Sequence, residues 1–145
     1  SLVVFFLLWW ECTLLILNQP QKLKINMSYT EELLTKADEV IPRVTFEDYK
    51  SDINEKIMID VRQFEELQAS GTVQGSIHVP KGVIEFRLNN NDDISFDTSV
   101  YVFCAVGVRS AIAGYNLKKV GYKKVFNLVG FQDILEQGAE KQSLI

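Results

Sequence analysis

Residues 99–121 read SVYVFCAVGVRSAIAGYNLKKVG, and this stretch constrains the fold more than any other. Its first part, Ser99 to Cys104, is β-branched or aromatic at its four inner positions, Val100 to Phe103. Such a run fits a strand buried on both faces rather than one alternating between core and water. Its last part, VRSAIAGYNLKKV, has the pattern of a helix, with Lys118 and Lys119 in the final turn and Gly121 just beyond. Cations favour the negative end of a helix, and glycine is the usual residue past its end. Between strand and helix stands a short turn holding a cysteine, a glycine and an arginine.

The segments around this unit alternate in the same way. SYTEELLTKADEVI fits a helix capped by Ser28 or Thr30, with Glu31 and Glu32 in the first turn and Pro42 beyond its end. RVTFEDYKSDI carries a short β-prone piece, then Thr45 as a cap with Asp48 three residues on, the spacing of a capping box. KIMIDV is a short apolar strand, QFEELQASG a helix stopped by Gly71, and SIHVP a brief strand closed by Pro80. GVIEFRLNNNDD starts as a helix and dissolves into a polar turn at Asn89–Asp93. KKVFNLV is the last strand and FQDILEQG a final short helix. Strands separated by helices specify an α/β domain with a mostly parallel sheet.

Residues 1–26 are of a different character. SLVVFFLLWWECTLLIL is almost wholly apolar but contains Glu11, and it is shorter than the roughly 20 residues a membrane span needs. No basic stretch precedes it, as a secretory signal would require. Met27 then opens polar sequence. The expectation is a single working domain over 27–145, with 1–26 outside it as upstream sequence translated in frame, or as a membrane anchor or export signal at residues 1–17. The net charge of −4 argues against nucleic acid or an anionic membrane as a partner. The two cysteines, Cys12 and Cys104, lie in unlike segments, so a disulfide framework is not expected and a reduced, cytoplasmic setting is. A lone histidine, His78, leaves no credible zinc site.

The position of Cys104 has chemical meaning. In an open parallel sheet, ligands bind beyond the carboxyl ends of the strands, and Cys104 ends one. The helix that follows starts with unpaired N–H groups and the positive end of its dipole, both of which favour a thiolate and make the sulfur nucleophilic. Gly107 lets the chain curl so that successive N–H groups form an anion-binding nest, and Arg109 adds a fixed charge. The plain alternative is a small buried hydrophobe at a strand end.

The loop CAVGVRS resembles the active-site loop of the rhodanese family, the single-domain sulfurtransferases. The resemblance runs from about Arg43 to Gly138. IMIDVRQFEELQASGTVQGSIHVP is similar to that family's first motif, Asp-Val-Arg, an acidic helix, then Gly-x-Ile-His-x-Pro. GVIEFRL and YNLKKVGYKKVFNLVG also fit. The chain departs where the family has two adjacent glycines and then a tryptophan: Gly130 is followed by Phe131, with Ile134 or Leu135 at the tryptophan's place.

The resemblance implies an α/β, rhodanese-like fold with a central, mostly parallel five-stranded sheet flanked by helices. It implies a Cys104 thiolate that attacks the outer sulfur of a donor, carries it as a persulfide and yields it to a nucleophilic acceptor, with no cofactor and no metal. Ala105, Val106, Gly107, Val108 and Arg109 would form the substrate cradle, with Asp60, Arg62 and Ser110 supporting it. Asp60 and Arg62 read more simply as a structural ion pair, and His78 as a structural histidine. The implied partners are a small sulfur donor, thiosulfate or a persulfide, a thiol or cyanide acceptor, and a sulfur-relay protein, with the chain a monomer. Thiosulfate is a dianion, and this loop supplies only Arg109 against it. Two other classes share the features: a phosphatase or arsenate reductase, and a non-catalytic partner-binding module. Cysteine phosphatases are similar to one another in spacing Cys and Arg by five residues, whereas Cys104 and Arg109 are separated by four.

Overall fold

The structure is a computed structural model that describes residues 28–89 and 94–144. The apolar segment at 1–26, Met27 and most of the polar turn at Asn89–Asp93 lie outside the described residues. Among those described, no helix is long and apolar enough to cross a membrane.

Four parallel strands form the central sheet in the order β3 (Ile77–His78), β1 (Lys56–Asp60), β4 (Ser99–Cys104), β5 (Lys124–Gly130). The expected fifth strand is reduced to a single parallel bridge between Arg43 and Asn127. The reason is local. Asn127 N–H donates to Pro42 O and Val44 N–H to Asn127 O, both at 2.9 Å. Proline offers no N–H to extend the ladder backwards, and Thr45 already turns the chain into helix α2 (Phe46–Ser51). A second, antiparallel pair joins β2 (Thr72–Val73) to β6 (Lys141–Gln142), so the C-terminal segment returns to lie beside residues 72–73.

The helix ends follow the cap chemistry. Ser28 caps α1 (Tyr29–Val40) in a reciprocal box with Glu31, and Thr45 caps α2 in a reciprocal box with Asp48. Helix α3 (Phe64–Ser70) stops at Gly71. A 3-10 turn (Lys81–Val83) leads into the short α4 (Ile84–Arg87). Helix α5 (Val108–Val120) ends at Gly121, and α6 (Phe131–Glu136) follows β5 without a gap.

Every residue of β4 is buried, as its composition requires. Its pleat sends alternate side chains to opposite faces. Val100, Val102 and Cys104 join Ile41, Ala113 and Leu117 in one core, beneath α1 and α5. Tyr101 and Phe103 join Met58, Leu128, Phe131 and Ile134 in the other. Parity therefore decides which helix the cysteine meets: Cys104 stands on the face covered by α5, whose N-terminus begins four residues later.

Candidate active site

The turn from β4 to α5 is built by Gly107, which holds φ +94° and ψ −2° as the residue before the helix. An L side chain disfavours this left-handed backbone. A Cβ here would also lie 2.7 Å from Val129 Cγ1, so the loop and the end of β5 are in direct apposition. The curl turns the Gly107 N–H back onto Cys104, where it donates to Sγ at 3.0 Å. The Ser110 hydroxyl lies 3.4 Å from the same sulfur.

Burial pushes the Cys104 thiol up, because an anion is disfavoured away from water. The Ser110 hydroxyl and the backbone N–H groups of Ser110, Val106 and Gly107 oppose it and prevail, so the net direction is below the ordinary thiol range. The sulfur is a thiolate-favouring group held under a ring of donors.

The remaining loop residues divide by exposure. Val106 is 70% exposed, Ala105 is exposed and Val108 lies open at the rim, while Gly107 and Ser110 are buried. Arg109 is half-buried, and its charge is already met. Nη1 donates to Glu66 Oε2 at 2.6 Å and Nη2 to Glu66 Oε1 at 2.8 Å, a bidentate pair. The Arg109 hydrogen bonds hold the Glu66 carboxyl down to about 2. Glu66 is itself fixed, since the Gln63 N–H at the start of α3 donates to its Oε2 at 2.9 Å.

Asp60 and Arg62 form an ion pair buried to 0% and 3% exposure. Arg62 Nη2 donates to Asp60 Oδ2 at 2.8 Å and to Gly71 O at 2.7 Å, and Nη1 donates to Ser70 Oγ at 3.0 Å. The Thr72 hydroxyl donates to Asp60 Oδ2 at 2.7 Å. The guanidinium stacks on the Phe131 ring at 4.1 Å, which gives the departure at Gly130–Phe131 a structural use. These bonds fasten the α3–β2 connection to the sheet, and none of them reaches the cysteine loop. His78 Nε2 meets Arg62 O at 2.7 Å, also a structural contact.

Two site residues escaped the sequence reading. Glu66 is one of several acidic residues in α3, and nothing in its spacing connects it to Arg109. Asn127 is fully buried in β5. Its Nδ2 donates to Gly107 O at 3.0 Å, and its Oδ1 accepts from Ser110 Oγ at 2.8 Å and from Val129 N–H at 2.9 Å. The Ser110 hydroxyl has one proton to give, so it bonds either Asn127 or the cysteine sulfur. Val129 takes φ +75°, a genuine outlier for a β-branched residue, where the β4–β5 register slips after Val102. A lone amide inside KVFNLVG was the visible sign, because a buried polar group in an apolar strand needs partners.

A family model for the rhodanese-like domain matches residues 45–134. The chain belongs to the rhodanese-like domain family. This rhodanese-like domain is 38% identical over 100 residues to a Bacillus subtilis protein named "Putative sulfur carrier protein YrkF", covering 64% of the chain and 50% of that relative. The chain thus spans about half of that relative's length. An Escherichia coli structure described as a rhodanese with anions is 28% identical, with TM-score 0.53, over 61% of this chain and 99% of that one. A Rhodopseudomonas palustris structure, described as a possible tyrosine phosphatase of unknown function, superposes with TM-score 0.68 over 86% of this chain and all of its own length. At 24% identity it speaks to the shared fold alone.

Proposed function

We propose that this rhodanese-like domain is a sulfurtransferase that carries sulfane sulfur as a persulfide on Cys104. One observation carries the reading: the Cys104 sulfur accepts the Gly107 N–H at 3.0 Å inside a loop whose donors hold the thiol below its ordinary range. The thiolate attacks the outer sulfur of a donor, and the S–S bond to the leaving group breaks. With thiosulfate the products are the Cys104 persulfide and sulfite. The loop N–H groups that favour the thiolate also favour the terminal persulfide anion. A nucleophile then takes the terminal sulfur: cyanide leaves as thiocyanate, or a thiolate as a new persulfide, and the Cys104 thiolate returns. The name of the Bacillus subtilis relative fits a place in a sulfur relay.

Phosphoryl transfer is the weaker reading. A loop with four residues between Cys104 and Arg109 is tight for a tetrahedral phosphate, and the arginine that would ring it is bound by Glu66.

Intact-mass measurement tests the proposal. Incubation with thiosulfate or an alkyl persulfide is expected to add the mass of one sulfur, removed by cyanide and absent in Cys104→Ser. No added sulfur with any donor, on a chain whose Cys104 still alkylates, would overturn it.

A further inference from the structure

The cysteine loop has a single fixed cation, and the fold spends it. Arg109 meets both oxygens of Glu66, at 2.6 and 2.8 Å. Glu66 is not a mobile counter-ion, because its Oε2 also receives the Gln63 N–H at 2.9 Å. Arg109 nonetheless stands close enough to Cys104 for a thiolate there to stabilise the guanidinium. The other arginine at this end of the sheet, Arg62, is buried and committed to Asp60, Ser70 and Gly71. A donor approaching Cys104 therefore meets backbone N–H groups, a neutralised Arg109–Glu66 pair, and the exposed apolar rim of Ala105, Val106 and Val108.

Resting on the sulfurtransferase reading, we infer that Glu66 is a specificity-determining residue. By cancelling the charge of Arg109, it turns the site away from inorganic dianions and toward sulfane sulfur carried on an organic group of lower charge. Small N–H dipoles suffice for one developing negative charge on sulfur. A second charge on the donor has no unpaired cation in the loop to meet, and the Glu66 carboxylate held on Arg109 disfavours it. An organic leaving group gains contact with the valine rim that sulfite does not.

Two donors that differ by one charge separate this from a structural role: thiosulfate, a dianion, and methanethiosulfonate, a monoanion. In both the Cys104 thiolate takes the outer sulfur, and the leaving group, sulfite or methanesulfinate, departs with the S–S electron pair. Thiocyanate formation with cyanide as acceptor gives kcat/KM for each, and the readout is the thiosulfate-to-methanethiosulfonate ratio. Glu66→Gln is expected to raise that ratio about tenfold, the order of one charge–charge interaction largely screened by water. The increase should shrink at high salt. Arg109→Gln leaves Glu66 unopposed and is expected to lower the ratio by a similar factor. The double variant should return it close to the wild-type value.

A ratio unmoved in both single variants, or moved in the same direction by both, overturns the inference, since a purely structural pair would affect both donors alike. If Glu66→Gln does not fold, Arg109→Gln decides alone: a ratio that does not fall overturns the inference. Absence of any persulfide on the wild-type chain with either donor would overturn the sulfurtransferase reading, and this inference with it. A persulfide with an unmoved ratio overturns the inference only.

Discussion

Gly107→Ala tests whether the loop geometry sets the reactivity of Cys104. The substitution acts twice on the backbone. An alanine at φ +94° costs about 1–2 kcal/mol relative to glycine, from the clash of Cβ with its own backbone. The new methyl would also stand 2.7 Å from Val129 Cγ1 and 3.2 Å from Val129 Cα. Val129 cannot simply retreat, because its N–H is tied to Asn127 Oδ1. Overpacking of this kind costs about 1–3 kcal/mol. If the loop keeps its shape, the loss of stability is about 2–5 kcal/mol. With a urea slope of about 2 kcal/mol per molar, the unfolding midpoint falls by roughly 1–2.5 M. If the loop escapes outward instead, stability recovers but the Gly107 N–H leaves the sulfur. A hydrogen bond to a charged group contributes about 1.5–3 kcal/mol, so the apparent Cys104 pKa then rises by about one unit or more. Urea unfolding and the pH dependence of iodoacetamide alkylation read the two routes. An alanine variant with both the wild-type midpoint and the wild-type alkylation profile would refute the reasoning.

Two further substitutions probe the residues behind the loop. Ser110→Ala removes the hydroxyl that lies 3.4 Å from the Cys104 sulfur and helps hold its thiol below the ordinary range, so the variant thiol should ionise at higher pH. The thiolate is the reactive form above its pKa, so the alkylation midpoint is expected to move to higher pH, and an unchanged midpoint in a folded variant would rule out an influence of Ser110 on the sulfur. Asp60→Ala leaves Arg62 buried without its carboxylate and is expected to destabilise by about 3–5 kcal/mol in chemical unfolding, whereas a loss below about 1 kcal/mol would mean that Ser70, Gly71 and Phe131 satisfy the guanidinium alone.

The elements and the nucleophile were legible along the chain because their causes are local. The capping boxes at Ser28 and Thr45 each lie within four residues, and glycine after α3 and α5 marks their ends by backbone freedom alone. The all-apolar strand at Ser99–Cys104 declares its own burial. The Cys–Gly–Arg turn before a helix predicts donors around a sulfur from the direction of helix N–H groups. What tertiary structure decided depends on partners far apart in sequence. Arg43–Val44 has β-prone residues but forms one bridge, since strand length depends on what Pro42 and Thr45 leave for Asn127 to pair with. The tail at Lys141–Gln142 carries no strand pattern and becomes a strand because residues 72–73 offer it a ladder. Arg109 reads in sequence as a free cation; only the tertiary fold brings Glu66 of α3 to it, and with it the charge of the site. Asn127 likewise acquires its place under the loop only when β5 lies beside β4, because a buried amide's role is fixed by which donors and acceptors the fold sets around it.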